Sequence, residues 1–153
     1  VRFFSQYADV CYSVVSATHS ATSIPGPGDG WGTPTPGATP QDASSCASRT
    51  IVYYDTAGTC VTLSGGVQGC GILLVDGDLE IDGDFFWYGP VIVTGSVLFS
   101  GGGDRNITGA MISGASVICD ISGGDSRIVY CSEAVKGQTE DRPLLCLSWK
   151  DGF

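Results

Sequence analysis

Acidic residues at alternate positions form the densest group of side chains able to do chemistry. They are Asp76, Asp78, Glu80, Asp82 and Asp84. Alternate residues of a β-strand share a face, so the three central carboxylates would line one face and Leu79 and Ile81 the other. Calcium prefers oxygen ligands, which makes Asp78, Glu80 and Asp82 a candidate calcium site. The spacing matches neither an EF-hand loop nor a calcium-binding nonapeptide, so we favour a solvated acidic face.

Catalysis is not expected from these residues. A glycosidase needs two carboxyl groups facing each other across a cleft, one of them with a raised pKa, and exposed strand neighbours do not provide that arrangement. His19 is the sole histidine, so any Ser-His-Asp or Cys-His site would have to use it. It lies among serines and threonines, and the chain has no nucleophile-elbow motif. We therefore interpret His19 as a surface residue and predict a protein without enzymatic activity or a required cofactor.

Cysteines are numerous and widely spaced. The seven are Cys11, Cys46, Cys60, Cys70, Cys119, Cys131 and Cys146. No Cys-x-x-Cys pair occurs, so disulfides in an oxidising compartment fit better than a zinc site. We predict two or three disulfides of open connectivity, with at least one sulfur left over because the count is odd.

Aromatic residues provide candidate contact surfaces. They are Trp31, the run Phe85, Phe86, Trp87 and Tyr88, and Trp149. An indole within a Pro/Gly segment usually packs somewhere, so Trp31 is expected to dock on its own domain, which we favour, or to anchor into a neighbouring subunit. Asn106-Ile107-Thr108 is a glycosylation sequon, although a chance occurrence of the tripeptide is the favoured interpretation.

Charge and hydropathy exclude several classes of partner. The chain has 16 acidic and 7 basic residues in 153, a formal net charge of -9. Nucleic acids and anionic lipid surfaces would repel such a protein, because affinity for them comes from lysine and arginine. No run of 18 apolar residues occurs, so no membrane span is expected. The composition is that of an exported protein, and the absence of signal-peptide features predicts a processed form.

A repeat of about 18 to 20 residues positions all of these groups. Residues 73–83 recur at a shift of 18 as residues 91–101, and residues 116–120 form a looser copy at a shift of 20. Residues 61–65 match residues 79–83, again at a shift of 18. This period is typical of one coil of a β-solenoid, in which each coil buries its inward side chains against its neighbours.

The sequence divides into four segments around this repeat. The apolar spacing in residues 1–22 predicts an N-terminal cap, with a short helix preferred and a strand as the alternative. Residues 23–48 are predicted to form an arm or loop rich in proline and glycine. Residues 49–131 form the solenoid, and residues 132–153 a C-terminal cap with a helical turn and a closing strand at 144–149. The predicted fold is all-β, a right-handed parallel β-solenoid of about four coils.

Three motifs in order are similar to a known family. Residues 71–79, 86–95 and 107–111, with the ending at 145–150, resemble the C-terminal region of the PilX-like accessory proteins of bacterial type IV pilus systems. The resemblance covers roughly residues 50 to 150 and implies an exported, non-enzymatic domain displayed by a filament system. Such proteins begin with a hydrophobic prepilin-type helix, which is not found here, so we expect a fragment of a longer precursor or a domain that works without that helix.

Together these observations predict an extracellular structural protein. Its expected partners are copies of itself or other pilus-type subunits, joined by adding a strand or the arm to a sheet edge. The alternative is an adhesin-like domain that binds surface glycans through the aromatic run, with calcium on the acidic face as an optional ligand.

Overall fold

The computed structural model describes residues 6–13, 17–20, 30–35, 46–119 and 124–138, which contain eleven strands and one short helix. In chain order these are β1 (Val10–Ser13), β2 (Ala17–Ser20), β3 (Thr33–Pro34), β4 (Cys46–Ser48), β5 (Thr50–Ser64), β6 (Val67–Asp82), β7 (Phe85–Val93), β8 (Val97–Ser100), β9 (Arg105–Ser113), β10 (Val117–Cys119), β11 (Ser126–Tyr130) and α1 (Ser132–Lys136).

Nine strands form a parallel β-solenoid of about four coils, which confirms the predicted fold class. The first face stacks β1, β5, β6, β7 and β9, and the second stacks β2, β5, β6, β8 and β10. The third face stacks β6, β7, β9 and β11. Leu73 pairs with Val91 at a shift of 18 residues and Arg105 with Ser126 at a shift of 21, so one coil follows the sequence repeat closely.

The main core lies between the three faces, and a smaller apolar cluster of Ile51, Tyr53 and Leu74 packs separately from it. Burial alternates along the strands, because successive side chains of a strand point to opposite sides. The largest inward side chains are Trp31, Trp87, Tyr54, Phe85, Phe99, Leu63, Leu73, Leu79, Ile81 and Ile107. Each coil therefore contributes apolar groups that are buried only when the coils above and below are present.

Gly69 makes room for the Trp87 indole, which packs on Trp31 at the base of the third face. Cys70 N donates to Trp31 O at 2.9 Å, which places Trp31 directly beneath Gly69. The Trp87 indole occupies the space where a side chain of residue 69 would lie, and meets Trp31 edge to face with ring centroids 6.1 Å apart. Trp31 Nε1 also donates to Tyr12 Oη at 3.0 Å. Trp31 is fully buried in its own domain, so it cannot anchor a neighbouring subunit.

Stacked glycines turn the chain from the third face into the first. Gly71, Gly89 and Gly109 have φ of 137°, 123° and 146°. A Cβ on any of them would overlap a backbone carbonyl of the coil beneath, so an L side chain is excluded both by conformation and by space.

α1 descends the side of the solenoid beside these glycines. It contacts β7 and β9, and the chain that follows it brings Gln138 next to Gly89 and Gly137 next to the Arg49 guanidinium. The predicted helical turn at residues 133–136 is thus present, and it lies along the coils instead of across their end. The predicted closing strand at 144–149 lies outside the described residues.

In the part of the N-terminal segment that the structure describes, residues 10–13 and 17–20 are strands, and the preferred helical prediction was wrong for them. β1 pairs with β5 and β2 with a later part of the same strand, so these residues form part of the first coil. Val10 and Tyr12 are in register with the buried Val52 and Tyr54. The apolar spacing fitted a helix, but it also fits strand alternation, and pairing with the neighbouring coil favours the strand.

Candidate functional site

The acidic face links neighbouring coils through hydrogen bonds. Ser96 N donates to Asp78 Oδ1 at 2.7 Å. Glu80 accepts from Thr62 Oγ1 at 3.0 Å and from Ser100 Oγ at 2.7 Å, and so joins the coil below to the coil above. These carboxylates are therefore acceptors for groups on adjacent strands, while Leu79 and Ile81 point into the core as predicted.

The predicted calcium site at Asp78, Glu80 and Asp82 does not form. Alternate residues of a strand are separated by about 7 Å, so carboxylates along one strand do not converge on a single ion. Within the described part of the chain, no group of three His, Cys, Asp or Glu side chains could hold a metal ion.

A second set of aspartates forms a ladder at the corner between the second and third faces. Asp104 N donates to Asp84 Oδ1 at 2.8 Å, and Asp125 N donates to Asp104 Oδ1 at 3.3 Å. Each carboxylate thus accepts an amide N–H of the coil above, and the exposed Asp125 is the last step of the ladder. A Gly-Asp pair at 83–84, 103–104 and 124–125 signals this ladder in the sequence, although the ladder was not among the predicted sites.

The C-terminal end of the solenoid exposes positions that are core positions in every coil below. Val117 pairs with Val97 and Ile128 with Ile107, and both of these partners are buried. Val117 and Ile128 are nevertheless each 47% exposed, and Tyr130 is 75% exposed. Among the described strands, β10 pairs with β8 alone and β11 with β9 alone, so within the described residues each has one unpaired edge. Exposed apolar groups beside free strand edges are typical of an interaction surface.

The N-terminal end has the complementary arrangement. β1 is the outermost described strand of the first face, and it pairs with β5 only. Val10 and Tyr12 point towards the core but are only half-buried. Both ends of the stack therefore present incompletely covered core positions along a strand edge.

The aromatic run is divided between core and surface. Phe85 and Trp87 are buried and stack with ring centroids 6.1 Å apart, so they cannot form a contact surface in the folded protein. Phe86 and Tyr88 point outwards and are half-buried. Strand alternation separates the four residues, a consequence that the unbroken run in the sequence obscures.

Phe86 lies between two amide side chains on the third face. Its register partners are Gln68 in the coil below and Asn106 in the coil above. In the next coil up, Arg127 is the register partner of Asn106. Asn106 is outward-facing and half-buried, and its glycosylation stays a prediction.

Arg105 is a buried charged residue that the sequence analysis missed. It occupies an inward position above Phe85 and is 1% exposed. Its Nη2 donates to the carbonyls of Ser100 and Gly101, the latter at 2.6 Å. The guanidinium thereby satisfies carbonyl groups of the loop that leads into β9, which accounts for a charge among apolar neighbours.

One disulfide is present among the described cysteines. Cys46 and Cys70 are bonded, with their Cα atoms 6.1 Å apart, and so attach the end of the arm to the third face.

The described free thiols are the exposed Cys11, Cys60 and Cys119 and the half-buried Cys131. Partial burial, with smaller contributions from the charges of Glu80 and Asp78, raises the pKa of the Cys60 thiol, which disfavours the reactive thiolate. Cys146 and Trp149 lie outside the described residues.

His19 lies in β2 in register with Leu63, and the surroundings of its side chain fall outside what the structure describes.

No described helix is long and apolar enough to cross a membrane. No protein-family model, no curated protein and no solved structure matches the chain.

Proposed function

We propose that the protein is an extracellular structural subunit or displayed domain of a bacterial, pilus-like surface filament, and that it acts by self-association instead of catalysis. The observation that carries this proposal is the exposure of Val117, Ile128 and Tyr130 beside the free edges of β10 and β11. Strand addition at such an edge supplies main-chain hydrogen bonds and buries apolar groups without any catalytic site.

Two further features support an exported, assembling protein. The Cys46–Cys70 disulfide fits an oxidising compartment. The motifs that resemble PilX-like proteins fall on the coils: residues 71–79 lie in β6 and begin at the corner glycine Gly71, and residues 86–95 begin in β7, one coil later. They therefore belong to the architecture that stacks.

Electron microscopy with light scattering tests the proposal. Negative-stain images and the mass measured by light scattering are compared across a range of protein concentrations, with and without reductant. We expect a mass that rises with concentration and elongated particles in the images. Because the free thiols are not needed for stacking, assembly should persist in mild reductant that leaves the disulfide intact. A monomer at every concentration would overturn the proposed self-association.

A second candidate function is glycan binding at Phe86. An outward aromatic ring between the amide groups of Gln68 and Asn106 offers a stacking surface for a sugar ring and hydrogen-bonding groups for its hydroxyls. Glycan-array binding that is lost in Phe86→Ala but kept in Ile112→Ala would support this role. Equal binding by the two variants would exclude Phe86 as the site.

A further inference from the structure

We propose that copies of the protein stack head to tail, so that the C-terminal end formed by β10, β11 and the last residues of β9 receives the first coil of the next copy. In parallel register, β1 of the next copy would lie over residues 111–113 of β9 and β2 over β10. The solenoid would then continue across the contact, and the assembly would be a polar filament. This inference rests on the proposed self-association and specifies the two surfaces that meet.

The columns of inward side chains support this contact. One column of the first face runs from Val10 through Val52, Leu73 and Val91 to Met111. The three inner members are buried, whereas Val10 and Met111 at its two ends are half-buried. The Val10 of a second copy would lie over Met111 as Leu73 lies over Val52. The same contact would extend the second-face column that ends at the exposed Val117.

The aspartate ladder supplies a polar counterpart. Asp84 and Asp104 each accept an amide N–H from the next coil. Asp125 presents the same group at the end of the stack, where it is exposed. An incoming strand edge offers unpaired backbone N–H groups, which a carboxylate accepts strongly. The last step of the ladder is therefore suited to accept an amide N–H from an incoming backbone edge.

Charge disfavours the alternative contact between two C-terminal ends. A two-fold contact would bring the exposed Asp125 of both copies to the same surface, where like charges repel. A head-to-tail contact places Asp125 against a different surface, and it leaves one end open for further addition. The repeat geometry favours the head-to-tail contact too, because the solenoid strands that the structure describes all pair in parallel.

A complementation experiment tests the polarity of the contact. Ile128→Lys places a charge at the C-terminal end, and Val10→Lys places one at the N-terminal end. Ile112→Lys is the matched control, since Ile112 is 55% exposed but lies on an outer side of the coils. We expect each end variant alone to be monomeric and the control to assemble like the wild type. A mixture of the two end variants should form a 1:1 complex of twice the monomer mass, because one unblocked end of each remains.

Each outcome bears on a different statement. Assembly of Ile128→Lys alone, or no complex in the mixture, would overturn the head-to-tail contact while leaving self-association intact. A monomeric wild type would overturn both, and loss of thermal stability in its Ile128→Lys variant would then indicate that the chain covers its own end. Should either end variant fail to fold, Val117→Lys and Val10→Pro repeat the test. Asp9 N donates to Ile51 O of β5, and N–H groups alternate in direction along a strand, so the N–H of Val10 points away from β5. Proline at position 10 removes that N–H from the edge that would receive another copy.

Discussion

Replacing Gly69 by alanine tests how the core is built around the two tryptophans. A Cβ at this position would overlap the six-membered ring of the Trp87 indole. The ring has little freedom to move, because it packs between Phe85 and Trp31 and because Trp87 Nε1 donates to Gly71 O at 3.2 Å. The added methyl group therefore has to displace a buried indole.

The expected cost follows from these contacts. Overpacking a core by one methyl group costs about 1–3 kcal/mol. Losing the indole hydrogen bond to Gly71 O would add about 1 kcal/mol. We therefore expect Gly69→Ala to lower the free energy of unfolding by about 3 kcal/mol. The neighbouring Gly66→Ala is the matched control, since a Cβ there meets nothing within 4 Å and the substitution should cost less than about 0.5 kcal/mol.

Urea denaturation followed by far-UV circular dichroism measures both variants. Combining Gly69→Ala with Trp87→Phe completes a double-mutant cycle, in which the smaller ring should relieve the overlap and give a coupling energy of at least about 1 kcal/mol. Equal stabilities of Gly69→Ala and Gly66→Ala, or a coupling energy near zero, would refute the close approach of Gly69 and Trp87.

Other predictions concern the disulfide, a buried phenol, a corner glycine and calcium. Cys46→Ser opens a crosslink between residues 24 apart in sequence and should lower the free energy of unfolding by about 3 kcal/mol in urea titrations; an unchanged midpoint would contradict this. Burial raises the pKa of Tyr54, so above about pH 10 the unfolded chain loses a proton that the folded chain keeps, and stability should fall by about 1.4 kcal/mol per pH unit. Denaturation curves measured from pH 9 to 11 should show a weaker fall of the free energy of unfolding with pH for Tyr54→Phe than for the wild type. The same pH dependence in both proteins would contradict the raised pKa of Tyr54. Gly89→Ala should cost about 2 kcal/mol or more against Gly102→Ala, which has open space; a differential-scanning comparison in which both melt together would disprove the corner constraint. The melting temperature should be the same in calcium and in EDTA, since the carboxylates around Glu80 are separate hydrogen-bond acceptors. A higher melting temperature in calcium than in EDTA would support a calcium site.

The coil could be predicted from sequence because its causes are local and recur. Residues 73–83 and 91–101 share alternating apolar positions and glycines at the same offsets, and one coil of the structure has that length. The corner glycines Gly71, Gly89 and Gly109 are required by backbone conformation at three successive turns, so they mark the period even where the strands differ.

The contents of the core and the sites were harder to predict. Trp31 lies in a segment whose proline and glycine content indicates a loop, yet in the core it packs against Trp87, a residue far along the chain. Arg105 can occupy an inward position because the carbonyls of Ser100 and Gly101 accept hydrogen bonds from its guanidinium, and no hydrophobic periodicity reveals that arrangement. The carboxylates of the acidic face are held by hydroxyl and amide groups of other coils, so their roles depend on strand register.

The path of α1 changes how the solenoid should come apart. A stack whose coils contact only their neighbours loses its end coils first, since each terminal coil has one interface instead of two. Here the chain leaving the last coil runs back to Arg49 at the start of β5, and so ties the last coil to an early one. Opening the exposed end would then also disturb the base of the stack. Amide hydrogen exchange is expected to show one cooperative unit in which β11 and β5 are protected to a similar degree.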